Sequence, residues 1–227
     1  MNVKPMEPII ELTGIEFSHK GGKELFSGLD FVLRPGQRVG LTGANGAGKS
    51  TLLNILMGFS KPRRGEVRIL GRARVTQEDF TEVRKRIGLL FQDSDDQLFC
   101  PTVEEDIAFG PLNLGKSHEE TFKIVGETCR ALGLSGKEKK VVTRLSFGEK
   151  RLAALAAVVA MNPECYLLDE PTNGLDKDTT ERILGFMRSR VSTCLVITHD
   201  RYFLENAVEK VYELNNGRIL PIRTLPA

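Results

Sequence analysis

Residues 43–50 read Gly-Ala-Asn-Gly-Ala-Gly-Lys-Ser, and this octapeptide decides the fold class of the 227-residue chain. It fits the pattern G-x-x-x-x-G-K-[ST], in which glycines let backbone N–H groups curl around phosphate oxygens. A glycine turn that caps an ordinary helix is the alternative interpretation. The residues of the loop and its exit that we predict to contact a nucleotide are Gly43, Asn45, Gly46, Ala47, Gly48, Lys49, Ser50 and Thr51.

The segments on either side of the octapeptide favour the phosphate-binding interpretation. Residues 38–42 are an apolar, strand-like run, and residues 51–57 have the composition of a helix. A strand, a glycine loop and a helix in this order place the positive end of the helix dipole at the phosphates. In this context we expect Lys49 to reach the β- and γ-phosphates and the Ser50 hydroxyl to bind Mg²⁺.

Composition and charge exclude several classes of protein. Hydrophobic residues make up 41% and charged residues 27%, as in soluble globular chains, and the net charge of +2 is too small for a nucleic-acid binder. No apolar run approaches the roughly 18–20 residues that span a bilayer, and the N-terminus lacks the apolar stretch of a signal peptide. We therefore expect a cytoplasmic protein that binds no nucleic acid.

Hydrophobic periodicity predicts an α/β fold in one domain, residues 1–227. Residues 1–92 and 163–227 would form the nucleotide-binding core with an N-terminal antiparallel β subdomain, and residues 93–162 a helical subdomain. Strands are predicted at 9–12, 28–33, 38–42, 65–70, 87–91, 165–168, 193–198, 208–214 and 218–222. Helices are predicted at 78–86, after capping boxes at 102–105 and 117–120, at 148–162, and from a cap at Asp178 to about residue 190.

Two acidic residues follow the apolar strand at residues 165–168 and form a second motif. A carboxylate at the carboxyl end of such a strand is well placed to bind a metal ion, so we expect Asp169 to hold Mg²⁺ directly or through water. Glu170, one residue later, is placed to orient and deprotonate an attacking water. A charged strand end without a catalytic role is the alternative.

The order of further motifs resembles that of the ATP-binding cassette (ABC) ATPases, and the match covers nearly the whole chain. Gln92 resembles the Q-loop glutamine of that family, residues 145–149 its signature motif, residues 174–176 its D-loop and His199 its switch histidine. His19 lies where the family usually has an aromatic residue that stacks on adenine. The resemblance implies a P-loop NTPase fold with a RecA-like core, ATP and Mg²⁺ as ligands, and ATP hydrolysis as the activity.

Three of these residues would act on the ATP bound to their own chain. The resemblance implies that Gln92 offers its amide oxygen to Mg²⁺ and reports the γ-phosphate to the helical subdomain, and that His199 contacts the γ-phosphate. The alternatives are a surface glutamine and a structural histidine. His19 replaces a larger aromatic residue, so we expect modest adenine affinity, and a role unrelated to adenine is the alternative.

The signature motif would act across a dimer. The resemblance implies that Ser146 and Gly148, in a motif that continues with Glu149, bind the γ-phosphate of ATP held by a second protomer. That protomer would be an identical or a related ATPase, arranged head to tail. Asp176 would cross the same interface, with a helix N-cap as the alternative. Phe147 stands where glycine is commoner in the family, and we expect a packing change with activity retained.

Residues 91–111 narrow the resemblance to the energy-coupling factor transporter ATPases, which include the cobalt and nickel importers. In that branch this stretch forms a helix and a groove that receive coupling helices of an integral membrane T component, which works with a substrate-binding S component. Leu98, Phe99 and Val103 would be partly exposed anchors, and Gln97 would line the groove. Burial in the core of the helical subdomain is the alternative.

The resemblance therefore implies a peripheral ATPase at the cytoplasmic face of the cell membrane that powers uptake of cobalt or nickel ions or of a vitamin. One alternative is the ATPase of another ABC transporter branch. A second is a soluble ABC protein that acts on nucleic acid or ribosomes, but such proteins usually have two cassettes or a coiled-coil insertion. A third is a small-molecule P-loop kinase, which would leave residues 146–149 and His199 unexplained.

Overall fold

The computed structural model describes residues 7–224, which form two compact units. The first unit comprises residues 7–84 and 192–224, and the second unit comprises residues 85–191. The predicted helical subdomain at residues 93–162 stays a prediction. None of the described helices is long and apolar enough to cross a lipid bilayer.

The described chain begins with three consecutive strands, and residues 103–160 are mainly helical, as the periodicity predicts. Among the described residues, the elements in chain order are β1 (Ile10–Ser18), β2 (Glu24–Leu33), β3 (Arg38–Thr42), α1 (Lys49–Leu56), β4 (Arg64–Ile69), β5 (Arg72–Ala73), α2 (Gln77–Arg86), β6 (Ile87–Leu90), α3 (Val103–Asn113), α4 (His118–Ala131), α5 (Phe147–Ala160), β7 (Cys165–Asp169), α6 (Lys177–Arg190), β8 (Cys194–Ile197), α7 (Arg201–Ala207), β9 (Lys210–Asn215) and β10 (Arg218–Thr224). Helix α7 is absent from the sequence prediction. It begins after Asp200, whose carboxylate accepts a hydrogen bond from the backbone N–H of Phe203 at 3.0 Å.

An antiparallel sheet in the first unit has the strand order β2-β1-β4-β5. Alternate residues of β1, including Ile10 and Leu12, are buried, as expected for a sheet with one apolar face. Both β1 and β2 are longer than predicted. Their pairing shifts register between Leu12 and Ile15, around Gly14 at a φ of 60°, so the strands continue past an irregularity that interrupts the apolar alternation.

The remaining strands of the first unit have the order β10-β9-β3-β8. Strand β3 pairs in parallel with β8 and with β9, which places the carboxyl ends of β3 and β8 at one edge. Strands β9 and β10 form the hairpin that the sequence predicts, with Asn216 and Gly217 at φ of 48° and 74° in its turn. The glycine loop therefore starts directly after β3, and His199 follows the end of β8, at the same edge of the sheet.

In the second unit β6 and β7 pair in parallel, and α5 packs against both α3 and β6. Small residues allow this close approach, because a Cβ at Gly88 would lie 2.5 Å from a methyl carbon of Val158. Helices α3 and α4 begin at the predicted capping boxes, where Glu105 accepts a hydrogen bond from the N–H of Thr102 and Glu120 one from that of Ser117.

Candidate functional site

The glycine loop lies between β3 and α1, and its backbone adopts conformations that favour glycine. Gly43, Gly46 and Gly48 have φ of 147°, 79° and 104°, which residues with a side chain rarely adopt. A Cβ at Gly43 would lie 2.6 Å from the carbonyl oxygen of Leu214, and a Cβ at Gly48 would lie 2.8 Å from the ring of Phe26. The loop thus has the tight curvature with which backbone N–H groups can surround a phosphate.

Lys49 is buried at the start of α1, and its ammonium group lies over the loop. Its Nζ atom donates to the carbonyl oxygens of Gly43 at 2.6 Å and Ala44 at 3.1 Å. Nζ also lies 3.1 Å from Nε2 of His199, which is 150 positions away in the sequence. The structure therefore brings together two residues that the sequence analysis places at the γ-phosphate.

His19 and Thr51 also meet in the first unit. The imidazole of His19 is exposed and packs edge-on against Phe17, with ring centroids 5.0 Å apart. Its Nε2 atom lies 3.4 Å from the hydroxyl oxygen of Thr51, in the first turn of α1. His19 is thus supported on one side and open on another, as a stacking platform must be. Asn45 and Gly46 are exposed in the loop, and Ala47 is half-buried.

Asp169 and Glu170 lie at the end of β7 in the second unit. Asp169 is the last residue of the strand and is buried, and Glu170 follows at a φ of 46°. A left-handed residue other than glycine costs on the order of 1–3 kcal/mol and persists where its surroundings hold it in place. Strained positions of this kind cluster at active sites. The contacts that hold Glu170 are therefore part of the site.

The guanidinium of Arg151 holds this turn. Arg151 lies in α5 with an exposed fraction of only 2%. It donates to the carbonyl oxygens of Asp169 at 2.6 Å, Glu170 at 2.8 Å and Pro171 at 3.1 Å. Burial lowers the pKa of Arg151 to about 10, so the guanidinium stays charged at neutral pH. Its hydrogen bonds fix three consecutive carbonyls around the strained residue.

The same guanidinium also holds the segment that contains Gln92. It donates to the carbonyl oxygen of Phe91 and, at 3.2 Å, to that of Gln92. Gln92 itself is exposed. One buried side chain thus connects the Q-loop backbone to the backbone of Glu170. Arg151 is not among the site residues predicted from the sequence. The available signal was a charged residue directly before the Ala- and Val-rich run Leu152–Met161, in a helix that needs a buried face.

Of the three residues predicted as exposed groove anchors, only one is exposed. Leu98 and Val103 are buried, which makes them core residues of the second unit, and their assignment as exposed anchors is wrong. Gln97 does not line a groove through a free amide, because its Oε1 accepts from the N–H of Phe91 at 3.1 Å and its Nε2 donates to the carbonyl of Ala154 at 2.9 Å. Phe99 is exposed, as predicted, with 66% of its surface accessible.

Ser146 and Glu149 form a capping box at the start of α5. The backbone N–H of Ser146 donates to the Glu149 carboxylate at 2.8 Å, and the N–H of Glu149 donates to the Ser146 hydroxyl at 3.3 Å. Lys137 and Lys140 each lie 2.9 Å from the same carboxylate. Hydrogen bonds from these lysines and from Ser146 lower the pKa of Glu149 to about 2. The carboxylate thus organises its own helix start, and its contact with a nucleotide stays a prediction.

Phe147 and Gly148 open the first turn of α5 and lie close to the segment around α6. Phe147 is exposed, and a Cβ at Gly174 would lie 3.2 Å from its ring. A Cβ at Gly148 would lie 3.3 Å from the hydroxyl oxygen of Thr179. The bulky residue at the third signature position therefore packs against Gly174 of the predicted D-loop, in line with a change of packing.

Asp176 is the N-cap of α6. Its carboxylate accepts hydrogen bonds from the N–H of Thr179 at 2.8 Å and from the Thr179 hydroxyl at 3.1 Å, and these bonds lower the pKa of Asp176. The predicted cap at Asp178 is wrong, because Asp178 lies in the first helical turn. The N-cap interpretation of Asp176 is confirmed, and a contact across a dimer interface stays a prediction.

The three residues predicted to hold magnesium have suitable donor atoms. Ser50 offers a hydroxyl oxygen, Gln92 an amide oxygen and Asp169 a carboxylate. Mg²⁺ prefers oxygen ligands and is usually held by one or two protein groups together with substrate phosphates and water. The donor set therefore fits magnesium bound together with a nucleotide.

Comparison with known proteins gives consistent family matches. A family model described as "ABC transporter" matches residues 26–173. The energy-coupling factor transporter ATP-binding protein EcfA of Methanothermobacter thermautotrophicus is 40% identical over 216 residues, which cover 93% of this chain and 70% of that protein. The protein of the same name from Methanocaldococcus jannaschii is 41% identical over 216 residues, covering 93% of this chain and 77% of that protein.

Solved structures resemble the chain along nearly its whole length. The cbiO1 protein of Clostridium perfringens, described as part of the ABC transporter complex cbiONQ, has a TM-score of 0.83 at 28% identity and covers 94% of this chain and 87% of that one. The ATP-binding cassette MJ0796, a dimer in a post-hydrolysis state with ADP and Pi, has a TM-score of 0.87 at 26% identity and covers 96% and 99%. These likenesses confirm the predicted α/β P-loop NTPase fold.

Proposed function

Because the chain belongs to the ABC transporter family of ATP-binding proteins, we propose that it powers an energy-coupling factor importer for cobalt or nickel ions or a vitamin. It is an ABC-type ATPase, and it binds and hydrolyses ATP. The observation that carries the importer proposal is the identity of about 40% to proteins named EcfA, which extends over 93% of the chain. The likeness to cbiO1, which is described as part of an ABC transporter complex, supports a role in transport.

Nucleotide binding begins at the glycine loop in this proposal. The loop N–H groups of Gly43 to Ser50 surround the β-phosphate, and the helix dipole of α1 adds positive potential. The ammonium of Lys49 has only to turn from the carbonyls of Gly43 and Ala44 to meet phosphate oxygens. His19 stacks on the adenine ring while Phe17 supports its other side. These residues position ATP before any chemical step.

Hydrolysis depends on groups that meet the γ-phosphate. Glu170 orients the attacking water and accepts a proton from it. His199 donates a hydrogen bond to the phosphate oxygens, on which negative charge develops. Magnesium held by Ser50, Asp169 and Gln92 would neutralise phosphate charge. Arg151 is a positioning residue here, because it holds the backbone of Glu170 and touches no reacting atom.

A second protomer completes each site in our proposal, as an identical or a related ATPase packed head to tail. Ser146 and the N–H of Gly148 would contact the γ-phosphate bound by the partner, with Glu149 keeping that helix start in place. Asp176 would lie at the same interface. MJ0796 is described as a dimer, which supports this arrangement.

In the proposal the chain lies at the cytoplasmic face of the cell membrane. Its partners there are an integral membrane T component and a substrate-binding S component, with no nucleic acid involved. Phe99 and Phe109 support this assignment. Both are exposed, and their rings meet edge to face with centroids 4.8 Å apart. We assign this aromatic pair, in place of Leu98 and Val103, as the apolar contact for a coupling helix.

Two measurements test the proposal. Tagged protein is captured from gently solubilised native membranes and its partners are identified by mass spectrometry, and uptake of radioactive cobalt and nickel is compared between wild-type cells and cells carrying Glu170→Gln. We expect a T and an S component in the capture, and loss of uptake in the variant. A conventional permease would move the chain to another ABC branch. Ribosomes or nucleic-acid proteins without a membrane partner would overturn the transport assignment.

A further inference from the structure

A cavity of about 700 Å³ lies within the second unit. Its walls come from the end of α3, from α4, from the last turn of α5, from β7 and from α6. The volume is in the range of roughly 300–1,000 Å³ that small-molecule sites occupy. Ser146 caps the opposite end of α5, about 20 Å away along the helix. The cavity is therefore separate from the signature motif.

The rim of the cavity is cationic. Lys116, Arg130 and Arg190 are exposed and line it, whereas Glu127 is the acidic residue among the described lining residues. Lys116 has a long contact of 3.7 Å with Glu120. Within residues 7–224, Arg130 and Arg190 form no ion pair, so both guanidinium groups can turn to a ligand. The rim therefore attracts an anion.

Two hydroxyl groups line the cavity and can form hydrogen bonds with a ligand. Tyr166 and Thr128 both line it, and each is only 6% exposed. Neither hydroxyl has a hydrogen-bond partner in the described part of the chain, and neither oxygen is sealed from solvent. Burial raises the pKa of Tyr166 to about 12, so its hydroxyl remains a donor at neutral pH. Both hydroxyls can therefore bind water in the free protein, and a bound polar group can take the place of that water.

Part of the inner wall is apolar and aromatic. The rings of Tyr166 and Phe186 meet edge to face with centroids 6.4 Å apart, and both residues line the cavity together with Met161. Flat rings pack well against aromatic edges and against the polarisable sulfur of methionine. The wall therefore suits the ring system of a small molecule rather than a hydrated ion.

We propose that this cavity binds an aromatic amphipathic anion, with its ring system against Tyr166 and Phe186 and its carboxylate or phosphate at Arg130 and Arg190. The cationic rim and the apolar wall together select this class, because an inorganic anion would leave the wall unfilled and a neutral aromatic compound would leave the guanidinium groups unpaired. The site stands on the geometry of the second unit alone and is independent of what the transporter carries.

The test uses 2-naphthoate as the anionic probe and 2-naphthamide as its neutral counterpart, with binding to the full-length protein measured by calorimetry. We expect naphthoate to bind with a Kd of roughly 0.1–1 mM, in line with its small size. Naphthamide should bind about tenfold more weakly, because it forms no charge-assisted hydrogen bond. Saturating ADP should leave the naphthoate Kd unchanged.

Three variants locate the site. Arg130→Glu combined with Arg190→Glu should weaken naphthoate binding at least tenfold, roughly the effect of removing charge-assisted hydrogen bonds. Tyr166→Phe should weaken it by a smaller factor. Arg188→Glu is the matched control, since Arg188 is exposed on the same helix but is not part of the lining, and it should leave the Kd unchanged. Circular dichroism confirms that each variant is folded.

Four outcomes would overturn the proposal. Displacement of naphthoate by ADP would show that the probe binds at the nucleotide site. Equal affinity for naphthoate and naphthamide would remove the role of the cationic rim. A Kd that is the same in the Arg130 and Arg190 double variant as in Arg188→Glu would place the probe elsewhere, and no binding at several millimolar would show that the cavity takes no such ligand.

Discussion

The glycine loop and the turn at Glu170 both contain residues at positive φ, but the two segments are held in different ways. The loop uses glycines at positive φ, and the ammonium of Lys49 bonds to carbonyls only five or six positions away. The turn keeps a glutamate at a φ of 46°, and the group that holds its carbonyls is Arg151, which is 19 positions away in another element. One segment relies on its own residues and the other on a distant side chain.

The two segments are therefore vulnerable to different substitutions. The glycine loop should be disrupted when its glycines gain side chains. The turn at Glu170 should be disrupted when Arg151, the clamp that holds its carbonyls, is replaced. The difference also separates the proposed chemistry from its structural support, since Arg151 donates to the backbone carbonyl of Glu170 whereas the chemistry uses the Glu170 carboxylate. Changes to the carboxylate, to the clamp and to the glycines should therefore have distinct effects.

The largest effect is expected from Glu170→Gln. The amide has nearly the same shape and the Arg151 bond to the backbone carbonyl remains, so the fold and ATP affinity should be retained. The variant loses its general base, which lowers the rate of hydrolysis by about 10²–10⁴. Phosphate release under single-turnover conditions measures the rate, and calorimetry measures ATP affinity. Turnover at the wild-type rate would remove Glu170 from the mechanism.

Arg151→Met should have the next largest effect. It leaves buried carbonyls around Glu170 and Gln92 without their donor, and removing part of such a buried charged network costs about 3–5 kcal/mol. Urea unfolding measures the loss, and ATP hydrolysis should fall with it. Arg151→Lys keeps the charge but offers fewer donors, so it should restore only part of the stability.

The matched control for the clamp is Lys150→Met, one residue earlier on the same helix. Lys150 pairs with Asp95, whose side chain is 66% exposed, so this ion pair should contribute no more than about 1 kcal/mol. Equal losses of unfolding free energy in the Arg151 and Lys150 variants would contradict the clamp and reduce Arg151 to an ordinary charged residue.

The contrast between the two segments also explains what the sequence could predict. The glycine loop is contiguous, so its pattern alone predicts its strand, its helix and the place of Lys49. Asp169 and Glu170 are predicted from a strand end, but the arginine that holds them is not, because it meets them only through the packing of α5. The prediction that Leu98 and Val103 are exposed is wrong for the same reason. The sequence shows that a residue is apolar, but only the packing shows whether it lies in the core or lines a groove.

Gly48→Ala tests the glycine loop. The added Cβ would enter a backbone conformation with φ of 104° and lie 2.8 Å from the ring of Phe26. We expect a loss of about 1–3 kcal/mol in unfolding free energy and weaker ATP binding. Gly185→Ala on α6 is the control, because no heavy atom lies within 4 Å of its added Cβ and alanine favours a helix by about 0.5–1 kcal/mol. Opposite signs for the two substitutions are expected, and equal signs would contradict the argument.

Glu149→Gln should have the smallest effect, because glutamine can still complete the capping box while losing its attraction to Lys137 and Lys140. The folded pKa of Glu149 is about 2, below its ordinary value of 4.5, so its contribution to stability is present above pH 4.5 and is lost as the pH falls toward 2. Solvent screening limits this contribution to about 1 kcal/mol. Urea unfolding at pH 7 and at pH 3 should therefore show a gap between wild type and variant that narrows in acid. Other carboxylates titrate alike in both proteins and leave the gap unchanged, so a gap of constant size would mean that ionisation of Glu149 does not stabilise the helix start.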